Sequence, residues 1–123
     1  MEKIKVLIVD DKRVVGDFFN FILGFRGHEV KLARSSEEAF ELVKNEKFDI
    51  AFLDIIVSNE DGIDILEEIK MIAPRLPVVV MSGFALEEKM EEAEKLGAVK
   101  CLRKPMDMQD VRKVIKEVTG KEV

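Results

Sequence analysis

The sequence predicts an α/β fold: an open, doubly wound, five-stranded parallel sheet with helices on both faces. Three observations carry this. Short apolar runs alternate with amphipathic stretches five times along the 123 residues, the pattern that parallel strands joined by crossover helices produce. The runs IKVLIV and PVVVM are continuous rather than alternating, as strands buried on both faces must be. The composition, 47% hydrophobic and 37% charged, supplies a core and a solvated surface for one domain of this length.

Residues 4–9 (IKVLIV) are β-branched-rich and read as the first strand. Residues 14–25 then place Val14, Val15, Phe18, Phe19, Ile22, Leu23 and Phe25 at helical spacing, with Gly27 as the stop. The unit repeats: residues 29–33 form a strand, and Ser35 with Glu38 has capping-box spacing ahead of a helix carrying Ala39, Leu42 and Val43. Residues 50–54 (IAFLD) give the third strand and residues 62–72 a helix with Ile63, Ile65, Leu66 and Ile69, after which 74–77 is a loop. Residues 78–81 (VVVM) give the fourth strand and 86–96 a charged helix ended by Gly97. Residues 99–102 form the fifth strand, and 107–119 a helix with Val111, Val114, Ile115 and Val118 on one face.

Composition excludes several functions. Cys101 is the only cysteine and His28 the only histidine, so neither an internal disulfide nor a zinc site can be built. A net charge of -5 argues against direct nucleic-acid binding, which needs a basic face. No apolar run approaches the length of a membrane span, and the opening MEKIKVLIVDD runs into acids where a signal peptide would stay apolar. A cytoplasmic protein whose partners present basic or apolar surface is expected.

In an open parallel sheet the ligand site lies beyond the carboxyl ends of the strands. Those ends carry Asp10 and Asp11, then Asp54, then Ser82 with Gly83, then Lys104 with Pro105. Taken singly, Asp11 could cap a helix, Ser82 could be a loop hydroxyl and Lys104 a surface charge. Asp54 is different, because it closes an apolar strand well before the next helix begins near Gly62. Three carboxylates drawn together repel and call for a cation. Oxygen-only donors favour a hard divalent ion such as Mg2+. A metal, a carboxylate nucleophile, a lysine, a hydroxyl and a glycine amide together make a phosphoryl-transfer set.

The blocks VLIVDD, LDIIVSNEDG, VVVMSG and GAVKCLRKP, in this order and spacing across the chain, resemble the receiver domains of two-component response regulators. The resemblance implies a flavodoxin-like (βα)5 fold with strand order 2-1-3-4-5, and residues 1–123 as a single, stand-alone, monomeric receiver domain. It makes Asp54 the phosphoacceptor and Asp10 and Asp11 the acid pair. These three and the backbone carbonyl of Ile56 would hold Mg2+ or Mn2+. Ser82 takes the place of the switch hydroxyl with the Gly83 amide beside it, and Lys104 that of the lysine pairing with the phosphoryl group. Gly62 is structural. The bond before Pro105 is expected to be cis, aiming Lys104 into the site. The phosphoryl donor would be a phosphohistidine of a sensor histidine kinase or a histidine phosphotransfer protein. The protein would catalyse its own phosphorylation and dephosphorylation and act on a downstream protein.

Four positions depart from the family pattern. Ser58 stands where a proline is common, so a less rigid loop after Asp54 is expected. Cys101 replaces the aromatic residue that swings inward on activation and reads as a small buried hydrophobe, with a reactive thiol as the minor alternative. Ile56 and Phe84, which flank the phosphoryl position, are both apolar and cannot activate a water molecule, so slow self-dephosphorylation is expected. Without the aromatic ring and without an output domain, a phosphorelay role is favoured. A non-phosphorylated binding module is the alternative, opposed by the intact polar set. An aspartyl phosphatase would want an acid at the Ile56 position, and a flavin binder would want a Ser/Thr/Gly-rich loop where DDKRVVG stands.

Overall fold

The computed structural model describes residues 2–83 and 87–123. Five parallel strands, β1 (Lys5–Val9), β2 (Glu29–Ala33), β3 (Ile50–Asp54), β6 (Val78–Ser82) and β7 (Lys100–Arg103), form one sheet in the order β2-β1-β3-β6-β7. Counting only these strands, this is the expected order 2-1-3-4-5. Two short strands, β4 (Ile56–Val57) and β5 (Glu60–Asp61), pair antiparallel with each other between β3 and the following helix. The helices are α1 (Arg13–Ile22), α2 (Ser36–Asn45), α3 (Gly62–Ile72), α4 (Glu87–Lys95) and α5 (Met108–Thr119).

Period-2 alternation divides the core in two. Leu7, Val9, Ala51, Leu53, Val78 and Val80 face one side of the sheet, where Ala39, Val43, Ile65, Leu66, Ile69 and Ala93 of α2, α3 and α4 cover them. Val6, Ile8, Ile50, Phe52, Val79 and Met81 face the other, under Phe19, Ile22, Val111, Val114 and Ile115 of α1 and α5. Each fully buried aliphatic or aromatic side chain contributes about 1.5–3 kcal/mol, which is why continuous apolar strands select this double-sided arrangement. No helix among the described residues is long and apolar enough to cross a membrane.

The caps refine the sequence reading. Ser35 accepts the Glu38 N–H at 3.2 Å, but the Glu38 carboxylate reaches past it to the Arg34 N–H at 2.6 Å. A reciprocal capping box forms instead at α5, between Asp107 and Asp110. The first helix ends at Ile22 rather than at Phe25. Gly24–Arg26 form a 3-10 turn that Gly27 closes at φ 89°, and the Leu23 carbonyl accepts both the Arg26 and the His28 N–H. Phe25 consequently points outward and is 84% exposed. The last strand begins one residue late, at Lys100, and the fourth reaches Ser82.

The β4–β5 hairpin was not foreseen. Ser58 and Asn59 both have positive φ, 48° and 66°, the signature of a two-residue type I′ turn. A proline, fixed near φ -65°, does not fit position 58 in this turn. Gly62 then brings the chain back against the end of β3. A Cβ at this position would lie 2.6 Å from the backbone oxygens of both Asp54 and Ile55, and the Gly62 N–H donates to the Ile55 carbonyl at 2.6 Å. Gly62→Ala must therefore displace backbone. It is expected to cost about 1–3 kcal/mol and lower Tm by several degrees in thermal unfolding.

His28 is buried at the amino-terminal edge of the sheet, where Nδ1 accepts the Ile4 N–H at 3.1 Å and Nε2 has no hydrogen-bond partner. Burial, then the charges of Lys3 and Arg26, push its pKa below the ordinary imidazole value. Below about pH 6.5 the unfolded chain takes up a proton that the folded protein resists. Stability is thus full above that pH and falls as the pH drops toward the lowered folded value. Melting curves between pH 7.5 and 5 are expected to show a steeper loss for wild type than for His28→Asn, which keeps an acceptor and does not titrate.

Candidate functional site

Ladder hydrogen bonds continue past the strand ends and fix the loops that carry the polar residues. The Asp10 N–H donates to Ala33 at 3.0 Å, Ile55 to Met81 at 2.9 Å, and Lys104 to Ser82 at 2.7 Å. Register places Val9 beside Leu53 on neighbouring strands, so the residues that follow β1 and close β3 meet at the sheet edge. Oxygens of Asp10, Asp11 and Asp54 lie within 4.8 Å of one another.

Asp10 is fully buried and Asp54 only 4% exposed. The Lys104 ammonium donates to Asp10 Oδ2 at 2.7 Å and to Asp54 Oδ2 at 3.1 Å. The Asp10 carboxylate also accepts the Lys12 backbone N–H at 2.9 Å, and Asp54 Oδ1 accepts the Ile56 N–H at 3.3 Å. Asp11 is not engaged in capping α1, whose cap position is Lys12 with no side-chain hydrogen bond. Its Oδ1 is buried and accepts no hydrogen bond. Three clustered carboxylates, one with a buried oxygen that accepts no hydrogen bond and faces the Lys12 ammonium at 3.5 Å, are a donor set suited to a hard divalent cation.

The remaining expected residues fall as follows. Ser82 is buried at the end of β6, and Gly83 follows it, exposed. A cavity of about 410 Å³ is lined by Asp11, Asp54, Ile56, Gly83 and Lys104 among others. Ile56 is 43% exposed on its wall. The Lys104–Pro105 bond is cis. Phe84 lies outside the described residues. Cys101 sits half-buried in β7 beside Val80, with Sγ 3.8 Å from the Met90 carbonyl of α4. Burial and then the charge of Glu94 push its thiol pKa up, which fits a packing residue and not a nucleophile.

Three further residues were missed. Lys12 Nζ lies 3.4 Å from Asp54, 3.5 Å from Asp11 and 3.8 Å from Asp10. Burial works against its charge, but Asp54, Asp10 and Asp11 together outweigh burial and raise its pKa. Arg34 donates twice to the Asp11 carbonyl, at 3.2 and 3.0 Å, and its own carbonyl accepts the Ser58 hydroxyl at 3.3 Å. Lys89 of α4 pairs at 2.6 Å with Asp61, whose other oxygen caps α3 at Ile63. The DDKR run held the first of these signals: a lysine directly after two acids at a strand end.

Known proteins resemble this chain in sequence and fold. The chain is 29% identical to sporulation initiation phosphotransferase F of Bacillus subtilis over 113 residues, 92% of this chain and 91% of that protein. The receiver domain protein (CheY-like) of Methanospirillum hungatei has a crystal structure that matches with TM-score 0.88 at 30% identity, over 94% of this chain and 93% of that one. A Burkholderia pseudomallei response regulator, crystallised with a phosphorylated aspartic acid, a calcium ion and citrate, matches with TM-score 0.84 at 26% identity, over 95% and 66%. Transcriptional regulators that are 33% identical over 116 residues are much longer, and the chain spans about a quarter of their length, 26%. Residues 6–116 match the family model of the response regulator receiver domain, and with the flavodoxin-like sheet and the acidic edge already described, the chain belongs to that family of two-component signalling proteins.

Proposed function

We propose that this receiver accepts a phosphoryl group onto Asp54 from the phosphohistidine of a sensor histidine kinase or a histidine phosphotransfer protein, in a Mg2+-dependent reaction. One observation carries the reading: a nearly buried Asp54 carboxylate, held at 3.1 Å by the Lys104 ammonium, closes the strand end that borders an open cavity. An Asp54 oxygen attacks phosphorus, the phosphorus–nitrogen bond breaks, and the imidazole leaves with the bonding pair and takes a proton from solvent. Lys104 is shared between Asp10 and Asp54, so it can turn to the transferred phosphoryl oxygens while Asp10 still holds it. Ser82 and the Gly83 amide are the hydroxyl and backbone donors for those oxygens. Asp10, Asp11, Asp54 and the Ile56 carbonyl would hold Mg2+ or Mn2+, which supplies positive charge against the transferring group. The Burkholderia structure with its phosphorylated aspartic acid and calcium ion supports both assignments.

The chain then acts as a single receiver domain, in the cytoplasm, through a protein partner. Sequence similarity to a phosphotransferase, together with Cys101 in place of an aromatic ring, supports a phosphorelay role over a terminal one.

Labelling with a small acyl phosphate in the presence of Mg2+ tests the reading. Wild type is expected to take up one acid-stable, base-labile phosphoryl group and Asp54→Ala none; an unlabelled wild type would sink it. Ile56→Asn adds a side chain able to orient water at the cavity wall. It is expected to shorten the phosphorylated lifetime by about two- to ten-fold in a dephosphorylation time course.

A further inference from the structure

The chemistry above does not use Lys12. Its ammonium stands 3.4, 3.5 and 3.8 Å from one oxygen each of Asp54, Asp11 and Asp10. Near-equal distances to three acids place a cation at the centre of a ligand set. Lys104 is placed otherwise, to one side, with two close contacts and a side chain only 20% exposed, against 58% for Lys12. One lysine is built into the frame, whereas the other leans in from solvent.

A divalent ion must approach these same oxygens to about 2.0–2.6 Å. It cannot do so with an ammonium group already among them, since both the space and the field are taken. We propose that Lys12 is a tethered counter-cation, a positioning residue that holds the Asp10, Asp11 and Asp54 carboxylates together in the metal-free protein and is expelled when the divalent ion binds. The proposal rests on the reading of these three residues as the metal site. Its exposure lets the side chain leave without unpacking the core. The backbone N–H of Lys12 stays on Asp10 Oδ1 at 2.9 Å, so the frame survives the departure. Because one positive charge leaves as two arrive, the site gains only one net charge on loading. Lys12 therefore sets the metal concentration at which the receiver becomes competent.

Calorimetric titration of the full chain with MgCl2, repeated with Mn2+ followed by its electron spin resonance, tests this on wild type, Lys12→Met and Lys12→Arg. Lys12→Met is expected to bind about three- to ten-fold more tightly in about 0.05 M KCl, with the gap narrowing in about 0.3 M KCl as the charge is screened. Lys12→Arg is expected to behave as wild type. Equal or weaker binding by Lys12→Met overturns the proposal and leaves the metal site standing, as does a gap that salt does not change. If neither wild type nor Lys12→Met, both folded by circular dichroism, binds either ion, the metal-site reading itself fails.

Discussion

Repulsion among Asp10, Asp11 and Asp54 is the constraint around which the carboxyl edge of the sheet is built. Parallel pairing of β1 with β3 puts Val9 beside Leu53, and neighbouring strands run about 4.8 Å apart. The acids that follow cannot separate without breaking that ladder. Two like charges at this spacing cost on the order of 3 kcal/mol at an effective dielectric of about 20, and burial of Asp10 and Asp54 denies them the full screening of water. The core thus forces a charge cluster that the edge must neutralise.

The neutralising groups come from across the molecule, and each is placed by backbone first. Lys104 follows β7, the edge strand next to β6, and its N–H is pinned to Ser82. From there the four-carbon stem of lysine spans β6 and delivers the ammonium between Asp10 and Asp54. Gly62 works from the other side. By letting α3 start in contact with the Asp54 and Ile55 carbonyls, it folds the intervening residues into a hairpin whose first strand brings the Ile56 N–H onto Asp54. The site is therefore held by close backbone approach at one loop and by a long, charged side chain from another.

The central strands β1, β3 and β6 were legible because strands buried on both faces leave an unbroken apolar signature. The site residues were legible because each stands at a strand end where an apolar run stops. What escaped lacks such a signature. Ser58-Asn59 is a weaker hairpin signal than Asn-Gly, and β4 and β5 have two residues each, too short for any periodicity. The true end of α1 escaped because Phe25 fits the helical spacing, although the α-helix stops at Ile22 and Phe25 lies in the 3-10 turn that Gly27 closes. Lys12, Arg34 and Lys89 escaped because nothing in a long cationic side chain says which oxygen it will meet. Their partners lie up to 42 residues away in the chain, and only the fold brings them together.

The same distinction bears on how a change at Asp54 could reach α4. With an aromatic residue at position 101, the link would run through the interior as a ring with two packed positions. Cys101 has too little volume for that, and its sulfur already rests against the Met90 carbonyl. What joins α4 to the Asp54 loop is instead the Lys89–Asp61 pair at 2.6 Å, and Asp61 lies opposite Ile56 across the hairpin. Ala93 is the buried residue of α4, while Glu87, Glu88, Glu91 and Glu92 crowd its first turns. Such a helix is held lightly by packing and more by charge. A packed ring favours discrete states, whereas an exposed ion pair weakens with salt and with any shift of the hairpin. Under the proposed phosphorylation of Asp54, coupling to α4 through the Lys89–Asp61 pair would be electrostatic, where a packed ring would make it steric.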